Sequence, residues 1–73
     1  MTGNQIEFFD DIYRKYYKMM YDVALRIVKN PGIAEDVVAD TFLVLITKIN
    51  AVIEHEQPVK WLFRVLKNNA LNE

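Results

Sequence analysis

Apolar residues recur at helical spacing over the first 29 residues of the chain. From about Asn4 to Lys29 they come every three or four positions, and charged residues occupy the opposite side of the same helical wheel. This pattern predicts one long amphipathic helix whose apolar stripe belongs to the core. The stripe consists of Ile6, Phe9, Tyr13, Tyr16, Tyr17, Met20, Ala24, Ile27 and Val28.

A second helix is predicted to begin where Asn30, Pro31 and Gly32 interrupt the first. Proline disfavours helical backbone in the residue before it, while Asn30 can cap a new helix with Pro31 in its first turn. We expect this helix to run to about Asn50. One side of its wheel is apolar enough to join the core: Ala34, Val38, Thr41, Phe42, Leu45, Ile46 and Ile49.

The opposite side of the second helix mixes apolar residues with carboxylates. An exposed apolar patch with carboxylates at its rim often marks a surface that binds a partner. The same pattern also fits a helix that a small bundle surrounds on all sides, and the wheel alone does not separate the two interpretations. The residues on this side are Ile33, Val37, Leu43 and Val44, together with Asp36, Asp40 and Thr47.

A third helix is predicted from Pro58, after a connection over residues 51–57. Proline suits the first turn because its missing N–H has no helical partner there. The inward positions of this helix are Val59, Leu62, Val65, Leu66 and Ala70. The outward stripe contains Trp61, Arg64, Asn68 and Asn72, with Lys60 and Lys67 at one flank.

The amides of this third helix are unusual, because asparagine is a mediocre helix former and Asn68, Asn69 and Asn72 lie close together. Amides suit base edges, tryptophan stacks on bases, and the neighbouring cations suit phosphates. The alternative is a helix that frays toward its C-terminus, with Trp61 half buried and the cations placed favourably near the negative end of the dipole.

These elements predict an all-α fold, a compact three-helix bundle with a long first helix, a short turn, a second helix, a loop and a third helix. A chain of 73 residues without internal repeats fits one domain. The absence of cysteine excludes disulfides and thiolate metal sites and suits the reducing cytoplasm. A formal net charge of −1 gives no general attraction to nucleic acid, so any such contact must be local.

Membrane insertion, catalysis and metal binding find little support. No stretch approaches the roughly 18 consecutive apolar residues of a membrane span, and the first residues do not resemble a signal peptide. The chain contains one histidine, His55, and neither serine nor cysteine, which removes the usual nucleophile triads. His55 beside Glu54 and Glu56 is a weak ligand set, so we predict no enzyme, no metal and no cofactor.

Two segments, AEDVVADTF and, after a loop, WLFRVLKN, resemble conserved region two of bacterial sigma factors of the extracytoplasmic-function type. The segment YYKMMYDVALRIVKNPGIAED matches the aromatic first helix and its turn, so the resemblance covers nearly all of residues 1–73. It implies a cytoplasmic transcription initiation domain that binds core RNA polymerase and recognises and helps melt the promoter minus-ten element. Full-length factors carry a second DNA-binding domain, so the sequence is interpreted as a fragment.

The resemblance also implies which residues meet each partner. In the family the second helix docks on the clamp helices of the polymerase beta-prime subunit, and the third helix faces promoter DNA, mainly the unpaired non-template strand. An anti-sigma factor is a further partner that the resemblance allows, and no membrane is involved. The polymerase set maps onto Asp36, Asp40, Leu43 and Thr47, and the DNA set onto Lys60, Trp61, Arg64, Lys67, Asn68 and Asn72.

The chain departs from the family pattern at two places. Ala39 precedes Asp40 where glutamine usually precedes an acid, and the loop carries Glu54 and Glu56 where basic and small residues are usual. Carboxylates repel phosphate but can accept a hydrogen bond from the cytosine amino group.

Two other functions fit the sequence less well than the one that the resemblance implies. A helical protein-interaction module with no role at DNA gives no reason for the aligned outward stripe of the third helix. A duplex-reading helix-turn-helix protein joins its helices by a turn of about three or four residues, and the connection over residues 51–57 is longer.

Overall fold

A computed structural model describes all 73 residues as an all-α protein without strands. Three long helices and one short helix follow one another: α1 (Gly3–Val28), α2 (Pro31–Thr47), α3 (Ile49–Val52) and α4 (Pro58–Leu71). The three long helices all pack against one another, which confirms the predicted bundle. Since α1 has 26 residues at about 1.5 Å each, it defines the long axis of a domain that measures 35 × 18 × 17 Å.

Capping interactions place both ends of α1 and the start of α2. The Thr2 hydroxyl accepts a hydrogen bond from the Gln5 backbone N–H, and the Gln5 side chain accepts one from the Thr2 N–H, which is a reciprocal capping box. Lys29 closes α1 in the left-handed region, with φ of 56°. The Asn30 side chain then accepts from the Ile33 N–H at 3.0 Å, so the predicted cap is confirmed.

The second helix does not run unbroken to Asn50 as predicted. α2 ends at Thr47, and Lys48 leaves helical geometry with φ of −109° and ψ of 20° before the short α3 begins. Ile49 and Val52 in α3 are both buried, so the break turns the chain until these two side chains reach the core. The connection to α4 is therefore shorter than predicted and comprises residues 53–57.

The core lies where the three long helices meet. Full burial of one large aliphatic side chain contributes about 1.5–3 kcal/mol, so this cluster is the main source of stability in so small a domain. Its members are Ile12, Met20, Ala24, Ala34, Val37, Val38, Phe42, Leu45, Ile49, Val52, Leu62, Leu66 and Ala70.

Four residues of the apolar pattern lie on a different side from the one predicted. Tyr13 is 43% exposed although it belongs to the predicted core stripe of α1. Val37 is fully buried although the wheel placed it outward, and Ile46 is 40% exposed although the wheel placed it in the core. The reason is that α2 contacts both α1 and α4, so its buried arc is shifted toward α4. Ile6 is 52% exposed. Tyr16 of α1 packs against Phe63 near the start of α4, so the first turns of α1, which include Ile6, extend beyond the end of α4.

Two candidate binding faces

A partly buried hydrogen bond connects α2 with α4 and fixes which sides of these helices point outward. Thr41 is fully buried, and its hydroxyl donates to the Val37 carbonyl at 2.8 Å. The same oxygen accepts a hydrogen bond from the Asn69 side-chain amide at 3.1 Å. Asn69 is therefore a structural residue, unlike the exposed Asn68. The sequence contained a signal for this role, because Asn69 follows the buried Leu62 by two helical turns.

The residues mapped to polymerase binding form one exposed line along α2. They are Asp36, Asp40, Leu43 and Thr47, at spacings of four, three and four residues, and we call them the acidic face. Leu43 is 59% exposed and lies between Asp40 and Thr47. The Thr47 hydroxyl donates to the Leu43 carbonyl at 2.9 Å, so this side chain is anchored to its own helix.

The exposure of this line settles whether the bundle surrounds α2. It does not, because the acidic face and the neighbouring Ile46 are all solvent-exposed. α2 carries three carboxylates and no cation, and none of the three takes part in an ion pair. The wheel placed Ile46 in the core and so missed it as a member of this surface. The wheel does not show where α4 packs, and the position of α4 decides which side of α2 is buried.

Aromatic contacts hold the acidic face outward. The Phe42 ring lies 4.9 Å from the Tyr13 ring, 5.6 Å from the Phe9 ring and 6.4 Å from the Tyr17 ring. These contacts join one edge of α2 to α1. Burial raises the pKa of the Tyr17 hydroxyl above its ordinary value, with further contributions from Tyr13 and from the carboxylate of Glu35.

The residues mapped to DNA binding lie on the outer side of α4. We call Lys60, Trp61, Arg64, Lys67, Asn68 and Asn72 the cationic face. Five of them are exposed, whereas Trp61 is partly buried and packs against the core. Trp61 is therefore less outward than the wheel predicted, and only part of its ring is free. α4 carries three cations and no carboxylate.

A small groove lies where the loop meets the start of α4. We call it the loop groove; its volume is about 100 Å³, and it is lined by His55, Gln57, Lys60, Trp61 and Arg64. His55 Nδ1 accepts a hydrogen bond from the Gln57 backbone N–H at 2.9 Å. Gln57 is the N-cap residue of α4, but its side chain makes no capping hydrogen bond to the helix. The His55 side chain thus holds the backbone at the start of α4 in place. No group of three or more potential metal ligands occurs in the chain.

A larger groove of about 450 Å³ lies on the other flank of α4, and we call it the helix groove. Its lining residues are Lys60, Phe63, Arg64, Lys67, Asn68 and Leu71. The Phe63 ring meets the Tyr16 ring edge-on at 6.3 Å, and Leu71 is 71% exposed. Sequence reasoning missed Phe63 and Leu71, although Leu71 follows Lys67 by one helical turn and so lies beside it.

Comparison with known families decides what these faces belong to. The model of the sigma-70 region 2 family matches residues 12–73, which is most of the chain. The chain belongs to the sigma-70 region 2 family. This confirms the family suspected from the sequence, and no curated protein and no solved structure gave a significant match.

Family membership establishes a general function for this sigma region 2 domain. It is a transcription initiation domain that binds RNA polymerase and recognises the promoter minus-ten element, and the family is not a known enzyme family. No helix in the domain has the length and apolar character needed to span a membrane.

Proposed function

We propose that the sigma region 2 domain binds the clamp helices of the polymerase beta-prime subunit through its acidic face and unpaired minus-ten DNA through its cationic face. The DNA strand is mainly the non-template strand, and the domain is of the extracytoplasmic-function type. One observation carries the proposal. The domain has a net charge of only −1, yet α2 holds three carboxylates without a cation while α4 holds three cations without a carboxylate.

The acidic face has the features of a protein-binding surface. Leu43 is exposed one helical turn beyond Asp40, and the exposed Ile46 extends the apolar area. An apolar anchor beside charged residues is typical of an interface, in which a few residues supply most of the affinity and charge complementarity fixes orientation. The partner surface is therefore expected to place basic residues beside an apolar recess.

The cationic face has the features of a single-strand binding surface. Lys60, Arg64 and Lys67 recur at spacings of four and three, so their charges follow one side of the helix. Beside them lie the Asn68 amide and part of the Trp61 ring, which suit a base edge and a base face. Because the net charge is slightly negative, we expect weak binding to random duplex DNA. Its dissociation constant should lie within the usual non-specific range of roughly 10⁻⁴ to 10⁻⁶ M or be larger.

The polymerase half of the proposal is tested by charge reversal on α2. Asp36→Arg is expected to weaken binding to the isolated clamp helices or to core polymerase about fivefold or more, on the order of a lost interface contact. Glu7→Arg is the matched control, because Glu7 is an exposed acid on α1 outside the acidic face. Equal affinities for the two variants in a titration would refute the assignment of the acidic face.

The DNA half is tested in the complex with core polymerase. Arg64→Gln is expected to reduce permanganate reactivity of promoter thymines, because it removes a cation that lines both grooves. Lys18→Gln is the control, since Lys18 is an exposed cation on α1 without an ion pair. If both variants open the promoter as wild type does while Asp36→Arg still weakens polymerase binding, the cationic face does not contact promoter DNA and its assignment is refuted.

A further inference from the structure

The two grooves on either side of α4 share a pair of cations. Lys60 and Arg64 line the loop groove on one flank and the helix groove on the other. Both side chains are exposed and neither forms an ion pair. They therefore form a positively charged ridge between two recesses, and a polyanion that lies across the ridge has a recess on each side of it.

The helix groove has the chemistry of a single-strand site in its own right. Every charged residue in its lining is a cation, which complements a phosphate backbone, while Phe63 and Leu71 supply apolar surface. Unpaired nucleic acid offers this combination of charged phosphates and apolar base faces. The edge-on contact with Tyr16 holds the Phe63 ring in place, so this wall of the groove needs no ordering upon binding.

We infer that the unpaired promoter strand crosses the ridge of Lys60 and Arg64 and continues into the helix groove, where Lys67 binds a phosphate and Phe63 and Leu71 contact a base. This inference rests on the proposed function of the cationic face and extends it to a second binding position. The Leu71 side chain is 71% exposed and lines this groove, so it can contact a base.

An NMR titration of the labelled domain distinguishes one position from two. The probe is an oligothymidylate of about eight nucleotides, within the range of roughly 4–16 nucleotides that single-strand sites span, added to millimolar concentration. We expect backbone amide shifts around Trp61 and Arg64, and also around Phe63, Lys67 and Leu71. Both sets should report the same dissociation constant, because one strand occupies both grooves.

Two exposed leucines give a matched pair of variants. Leu71→Ser is expected to weaken binding of the oligothymidylate about threefold or more, because the base loses its apolar contact. Leu43→Ser removes another exposed leucine, on α2, and should leave this affinity unchanged. Lys67→Gln should lower the slope of log affinity against log salt by about 0.7, the value for one phosphate contact on a single strand.

The possible outcomes separate the inference from the function on which it rests. Shifts confined to the loop groove, with Leu71→Ser binding as wild type does, would overturn the second position and leave the proposed function standing. The absence of shifts in both grooves would overturn both. If Leu71→Ser instead dissociates a dimer and leaves oligothymidylate affinity unchanged, the helix groove binds a second copy of the chain and the inference is wrong.

Discussion

α2 and α4 bury one side each in the same core but present opposite chemistry to solvent. α2 exposes Leu43 and Ile46 on the same outer side as its carboxylates, whereas the outer side of α4 is mainly cationic. A helix whose outer side is partly apolar and is not covered by its own domain is expected to have a partner. The comparison teaches that charge segregation between helices distinguishes two surfaces where the net charge shows neither.

The largest expected effect tests whether the two helices depend on one core. Leu45→Ala on α2 and Leu62→Ala on α4 each remove a fully buried side chain. Each should lower the free energy of unfolding by about 2–5 kcal/mol, the usual cost of a large-to-small core change. Urea denaturation measures this cost. A loss below about 1 kcal/mol for either variant would mean that its helix contributes little to the shared core.

A smaller effect tests whether the outer faces are independent. Leu43→Asp should weaken binding to core polymerase by about 1 kcal/mol or more, because it replaces the exposed apolar residue of the acidic face with a carboxylate. Its stability should change by no more than about 0.5 kcal/mol, since the position is exposed.

Leu71→Asp is the matched control for Leu43→Asp, because it makes the same change on α4. It should leave polymerase affinity intact. If the two variants weaken polymerase binding equally, the comparison between the faces fails.

Effects of similar or smaller size are expected from substitutions at two neighbouring asparagines of α4. Asn69→Ala removes the hydrogen bond to Thr41 and should cost about 1 kcal/mol of stability without a direct effect on DNA. Asn68→Ala, at an exposed position, should leave stability nearly unchanged and reduce permanganate reactivity at the promoter. The opposite assignment of the two effects would show that the outward direction of α4 is wrong.

The smallest effect concerns the edge that joins α1 to α2. Because burial raises the pKa of Tyr17 in the folded state above its ordinary value of 10.0, the folded state retains this proton longer than the unfolded state does. The corresponding stability is fully present below pH 10 and is lost as the pH rises through the raised value. Tyr17→Phe should show a shallower alkaline decline in chemical denaturation. A decline identical to wild type would remove Tyr17 as its cause.

The sequence was sufficient for the fold class and most helix boundaries because those depend on local signals. The helical period, the Asn30 cap and Pro58 in a first turn act within a few residues of one another. The break at Lys48 was not predicted. It brings Ile49 and Val52 into the core, and the position of the core depends on where the other helices pack.

The candidate faces were only partly predictable for the same reason. The members of the acidic face lie on one helix at helical spacing, so a wheel finds them. The wheel could not find that Asn69 bonds to Thr41, that Trp61 is half covered, or that Phe63 rests on Tyr16. Each of these contacts joins residues far apart in the chain.

The sequence by itself determined the helices, their caps, the placement of carboxylates on α2 and cations on α4, and the family to which the chain is similar. Only the tertiary structure decided which arc of each helix is buried, and hence that Val37 is in the core while Leu43, Ile46 and Leu71 are not. The physical reason is that periodicity fixes the relative directions of side chains around one helix, whereas burial depends on where the other helices pack.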